Sequence, residues 1–242
     1  MSVKILDLEF FSEEKYKLLD VIFKRVNEEK KTFIITANAE ITMYARSNKS
    51  YLDIAKKADI IVPDGIGVVK GAKILKKEVK ERVPGIELMV DMLENANKNN
   101  KSVYFYGAKE ETISKMVSLL NEKYKNLNIV GYNNGYDDDS DDKITNQIKS
   151  LKPDYVFVAK GCPLQDEWII KVISQVDKGV FMGVGGSFDV LSGNVKRAPE
   201  LWQNLNLEWL YRVLNDPKRI GRYMSLPKFV IEVFKDRRNL ND

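Results

Sequence analysis

Asp64 is the carboxylate best placed to move a proton in this chain. It ends an apolar run and opens a glycine turn, in Val62-Pro63-Asp64-Gly65-Ile66-Gly67. A carboxylate at the end of a buried strand is partly desolvated, which favours proton uptake near neutral pH. The same residue also suits the N-cap of a helix from Gly65, and the two roles are compatible. The chain has no histidine, so Ser-His-Asp and Cys-His catalysis and the usual zinc sites are excluded. Acid–base chemistry falls to Asp, Glu, Lys or Tyr.

Four further motifs carry polar groups at turn-like places. Thr36 and Asn38, in Thr36-Ala37-Asn38-Ala39-Glu40, suit sugar hydroxyls or an acetamido group, and Asn38 equally suits a helix cap. Arg82, in Glu81-Arg82-Val83-Pro84-Gly85, is available to a phosphate or is an ordinary surface arginine. Gln165 opens a helix after Gly161-Cys162-Pro163 and suits a sugar or a uracil; Cys162 lacks a histidine to activate it as a nucleophile. Gly183, Gly185 and Gly186 form a turn whose backbone N–H groups suit a pyrophosphate, with Gly107 a weaker nucleotide-site candidate. The spacing is not G-x-G-x-x-G. Asp137 and Asp139 form a D-x-D, but in a polar acidic loop that reads as a solvated helix start, with Ser140 and Asp141 at the N-cap; no metal site and no cofactor are expected.

Beyond Pro199 the chemistry changes. Trp202, Leu205, Leu207, Trp209, Leu210 and Tyr211 are interleaved with Arg212, Arg219 and Arg222. Arginine forks match diphosphate oxygens, and aromatic-basic helices match a membrane surface. From Lys196 to Arg238 there are ten Lys and Arg against five Asp and Glu, while the whole chain carries only +4. The basic character therefore belongs to the C-terminal part and points to an anionic partner there. A nucleic-acid partner is not expected.

These residues need a scaffold. Strand-like runs at 3–8, 33–37, 60–62, 103–106, 128–132, 155–159 and 180–183 alternate with helical patterns. The helical patterns lie near 13–29, 39–57, 65–75, 86–99, 110–124, 141–151 and 165–176. This alternation predicts a Rossmann-like α/β fold, a doubly wound and mostly parallel sheet. From Pro199 the pattern is helical only, with Pro217 and Pro227 as helix starts or breaks. We therefore divide the chain into an α/β catalytic core, 1–195, and a basic helical appendage, 196–242. In open α/β sheets ligands bind beyond the carboxyl ends of the strands, where the motifs fall. At 44% apolar and 31% charged the composition is that of a globular protein. The lone cysteine fits a reducing compartment, and neither a leader peptide nor a spanning helix is expected. Oligomeric state is not readable, though a homo-oligomer is compatible.

Taken in order, T-x-N-x-E, P-D-G, E-R-V-P-G, G-x-P-x-Q and the block running from Gly183 through Lys196-Arg197-Ala198-Pro199 to Arg222 closely resemble the WecG/TagA/CpsF glycosyltransferase family. Within it, they resemble the TagA-type branch of wall teichoic acid synthesis. The resemblance covers nearly the whole chain. It implies inverting transfer of N-acetylmannosamine from UDP-N-acetylmannosamine to the 4-hydroxyl of GlcNAc in undecaprenyl-diphospho-GlcNAc. It further implies Asp64 as base, Thr36, Asn38, Arg82 and Gln165 in the substrate pocket, and Arg212, Arg219 and Arg222 on the diphosphate. The implied location is cytoplasmic, peripheral on the inner face of the membrane through the appendage. One departure is Asp166, where the family usually has Glu. A sibling activity on another UDP-sugar, such as the mannosaminuronic acid form, and a non-catalytic nucleotide-binding membrane protein stay open. A dehydrogenase is disfavoured by the missing glycine fingerprint and ribose-binding acid.

Overall fold

A computed structural model of the chain describes all residues except 137–139, 206, 216–220, 222–223 and 240–242, and the backbone alone at 140, 204, 209, 212 and 215. Two strands, β1 (Ser2–Ile5) and β2 (Leu8–Phe11), form an antiparallel hairpin. Six more form one parallel sheet: β3 (Thr32–Ala37), β4 (Ile60–Pro63), β5 (Ser102–Gly107), β6 (Asn128–Asn133), β7 (Tyr155–Ala159) and β8 (Val180–Gly183). Their spatial order is β4-β3-β8-β7-β5-β6.

Helices cover both faces, as a parallel sheet requires. On one side lie α1 (Lys15–Asn27), α5 (Gly85–Asn99), α6 (Glu110–Lys123) and the short α9 (Ser187–Leu191). On the other lie α2 (Ala39–Ser47), α3 (Lys49–Ala55), α4 (Ile66–Ile74), α7 (Ser140–Leu151) and α8 (Leu164–Ile173). Alternate strand residues feed the two cores. Tyr104, Tyr106, Val156, Val158 and Phe181 face the α2–α8 side, while Val103, Phe105, Tyr155, Phe157 and Met182 face the α1–α5 side. Every residue of β3, β7 and β8 is buried, which is why these strands read as continuous apolar runs.

The structure corrects two expected elements. The run 3–8 is not one strand: Leu6 adopts φ 52° and the chain folds back, pairing Ile5 with Leu8. The pattern 39–57 is not one helix. Asn48 closes α2, and its side chain accepts the Tyr51 N–H at 3.1 Å to start α3. A side-chain acceptor offered to the backbone breaks a helix that apolar spacing would continue.

Among the described residues three more helices follow α9: α10 (Glu200–Asn204), α11 (Glu208–Asn215) and α12 (Ser225–Asn239). Pro227 sits in the first turn of α12, where its missing N–H costs nothing; Pro217 lies outside the described residues. The last helix returns to the α/β body. Phe229 and Val233, one turn apart, are fully buried against α2 and α4. A Cβ on Gly71 of α4 would lie 2.6 Å from the Phe229 ring, so glycine makes the seat. Arg46 of α2 then binds Glu232 (3.0 Å) and Asp236 (3.2 Å) of α12 and Asp7 of the hairpin turn (2.9 Å). Among the described residues no helix is long and apolar enough to cross a membrane.

Candidate active site

The carboxyl ends of β4, β3, β8 and β7 lie side by side, and most of the singled-out residues sit there. Asp64 follows β4. Its N–H donates to the Ala37 carbonyl at the end of β3 (3.1 Å). Its Oδ1 accepts the N–H of Gly85, the first residue of α5, at 2.9 Å. The N-cap position of α4 is Gly65, one residue after Asp64. A backbone donor on one oxygen fixes the carboxylate's orientation, and the residue is half-buried at the crevice. Gly85 comes this close because it has no side chain: a Cβ there would lie 3.1 Å from Thr36 Oγ1.

Thr36 and Asn38 take different roles. Thr36 is buried, and its hydroxyl donates to the Gly183 carbonyl at 3.2 Å, tying β3 to β8. Asn38 caps α2, its Oδ1 accepting the Ile41 N–H at 3.0 Å. The cap uses only the oxygen. Among the described residues the Asn38 Nδ2 group has no hydrogen-bond partner, so a half-buried amide donor remains beside Asp64. Gly65 packs 3.0 Å, measured to an added Cβ, from Asn38, which brings the two motifs together.

The third wall is the glycine turn after β8. Gln165, in the first turn of α8, is buried and accepts the Gly185 N–H at 3.0 Å through Oε1. The Val184 and Ser187 N–H groups are also bonded within the protein. Of this turn, the Gly186 N–H has no partner among the described residues. A Cβ on Gly183 would overlap Gln165 Nε2 at 2.4 Å and approach Asp166 Oδ1 at 2.9 Å. Glycine at 183 therefore lets α8 press directly on the strand end. Gly107, at φ 122°, is fixed by packing, because a Cβ would lie 2.5 Å from the Ala159 carbonyl.

Behind Gln165 lies a buried polar cluster that the sequence did not reveal. Asp166 is fully buried. Its Oδ2 accepts the Tyr51 hydroxyl of α3 at 2.7 Å, while Oδ1 has no partner. Burial pushes its pKa up to about 7, and the Tyr51 bond only partly offsets this. Burial likewise pushes the neighbouring Cys162 thiol up to about 12, so it stays protonated and is no nucleophile.

Positive charge flanks the crevice. Arg82 lies in the connection to α5, held by Glu81, which accepts the Lys15 N–H (2.8 Å), and by the Val83 N–H on the Pro63 carbonyl (3.0 Å). Arg82 is half-buried, and its guanidinium has no hydrogen-bond or ion-pair partner among the described residues. Arg197 instead bonds Glu87 of α5, joining the segment before α10 to the core. The side chain of Arg212 and the whole of Arg219 and Arg222 lie outside the described residues, as do Asp137 and Asp139. Among the described residues no group of three or more His, Cys, Asp or Glu could hold a metal ion.

One cation escaped sequence reasoning. Lys160 directly follows β7, and its ammonium bonds Tyr106 Oη (2.9 Å) and Asp141 Oδ1 (2.9 Å). Its place between a strand's carboxyl end and Gly161 is the signal that could have found it.

Residues 3–242 match the model of the glycosyl transferase WecG/TagA/CpsF family. The chain is 43% identical over 208 residues to a Staphylococcus aureus (strain MW2) protein, covering 86% of this chain and 82% of the relative. That relative is named N-acetylglucosaminyldiphosphoundecaprenol N-acetyl-beta-D-mannosaminyltransferase. Proteins of the same name from strains NCTC 8325 / PS 47 and MRSA252 are 43% and 42% identical over the same length.

Proposed function

The chain belongs to the WecG/TagA/CpsF glycosyltransferase family, and from that premise we propose that it transfers N-acetylmannosamine from UDP-N-acetylmannosamine to undecaprenyl-diphospho-GlcNAc. The observation that carries the reading is Asp64: a carboxylate oriented by the Gly85 N–H, at the crevice, in a chain without histidine. Asp64 takes the proton from the GlcNAc 4-hydroxyl. The oxygen attacks the anomeric carbon, the bond from that carbon to the UDP oxygen breaks, and the configuration inverts. The amide donor of Asn38 and the guanidinium of Arg82, neither partnered among the described residues, suit the sugar and the charge that builds on the leaving diphosphate. Arg212, Arg219 and Arg222 we assign to that same charge, and the reaction to a metal-free course. Residues 196–242 we assign to the cytoplasmic face of the membrane. Leu201, Leu205 and Leu214 are exposed there, in a segment of local positive charge, which suits an anionic lipid surface.

The test is UDP release with a short-chain GlcNAc-diphospholipid and a panel of UDP-sugars, with and without EDTA. UDP-N-acetylmannosamine is the expected donor, and EDTA is expected to leave the rate unchanged. Asp64→Asn should bind UDP normally and lose about 10²–10⁴-fold in turnover. A folded Asp64→Asn protein with near-normal turnover removes the base assignment. Preference for a uronic acid donor reassigns the sugar.

A further inference from the structure

We propose that Lys160 is a phosphate-binding residue for the nucleotide half of the donor; this rests on the transferase reading above. Asp64 and Asn38 place the sugar at the ends of β4 and β3. The diphosphate must then lie further along the crevice, over β8 and β7. Lys160 is there, two strand spacings from β3, or roughly 10 Å. The unpartnered Gly186 N–H at the end of β8 lies between them.

The ammonium is aimed rather than free. Asp141, in the first turn of α7, and the hydroxyl of buried Tyr106 each hold one of its protons at 2.9 Å. The Tyr106 hydroxyl itself donates to the same Asp141 oxygen at 2.7 Å. The nitrogen sits 4.7 Å from the Tyr106 ring centroid, and that ring is locked against Trp168 at 4.8 Å. An ammonium has three donors, and the third has no partner among the described residues. Although burial works against the charge, the Tyr106 and Asp141 bonds hold the Lys160 pKa above its ordinary value, so the group stays cationic across the working pH range. A fixed cation with one donor to spare, at a strand end beside a glycine turn, matches a phosphate oxygen. A lysine serving only to fasten α7 to β7 would use the same two bonds, and the experiment separates these roles.

UDP and uridine affinities are measured by titration calorimetry on the full chain, with melting temperature as the fold control. Lys160→Met keeps the aliphatic stem and removes the charge; it is expected to weaken UDP by ~10–100-fold and leave uridine within about twofold. Asp141→Asn breaks the same ion pair but keeps the ammonium and an oxygen to aim it, and the expected loss of UDP affinity is several-fold smaller than that of Lys160→Met. Equal losses in both variants, or unchanged UDP affinity in a folded Lys160→Met protein, overturn the proposal. Failure of the unsubstituted protein to bind UDP at all refutes the transferase reading instead.

Discussion

Replacing Asp166 by Asn should change how stability depends on pH, and by a calculable amount. The folded carboxyl has a pKa of about 7 against an ordinary 3.8. Burial causes the rise, with Glu167 adding to it and Tyr51 opposing it. Between these two values the folded state binds more protons than the unfolded one, so stability falls as pH climbs from about 4 to about 7 and is flat above. Three units correspond to at most about 4 kcal/mol, of which roughly 2–3 kcal/mol lies between pH 5 and pH 8. Asn keeps an acceptor for the Tyr51 hydroxyl and cannot ionise. Other titrating groups act alike in both proteins and cancel in the difference. Urea unfolding at pH 5, 6, 7 and 8 should therefore show the parent losing roughly 2–3 kcal/mol relative to Asp166→Asn across that range. In melting temperature this is roughly 5–10 °C for a chain of this size. A constant difference between the two proteins at all four pH values would show that Asp166 ionises normally and would refute the argument.

Two other perturbations test packing at the site and at the chain end. Gly183→Ala forces a Cβ onto Gln165 and Asp166; Gln165 must swing away and release Gly185, so turnover should drop at least tenfold while the melting temperature moves by only a few degrees. Equal turnover in the variant would mean that the Gln165–Gly185 bond does not shape the site. Phe229→Ala empties the seat on Gly71 and should cost ~3–5 kcal/mol in chemical unfolding if α12 unfolds together with the core; a loss below about 1 kcal/mol would mean that α12 detaches independently.

The strands were legible because burial on both faces leaves little room for polar residues. Tyr155–Ala159 and Val180–Gly183 announce themselves for that reason. The hairpin was not legible, because its turn depends on Leu6 in a left-handed conformation that leucine rarely adopts. The break at Asn48 hid inside a continuous amphipathic pattern. At the site, residue types at strand ends were readable, but partners were not. Nothing local says that Gly85, at the start of α5, would donate to Asp64, or that Gln165 would grip the glycine turn. Asp166 stood out in the sequence only as a departure from the family's usual Glu. Only the packing of α3 over α8 shows that it is enclosed.

Arg46 grips residues from the first and last parts of the chain at once, and this bears on how the protein is made. Synthesis runs from the N-terminus, and every strand of the sheet precedes residue 184. While α12 is still being translated, the cleft between α2 and α4 is built but unfilled, and its apolar floor faces water. The growing polypeptide therefore has a binding site for a later helix of its own, vacant until that helix has been translated. A chaperone or a neighbouring nascent chain has its opportunity there, and slower translation of the residues between α9 and Phe229 prolongs it.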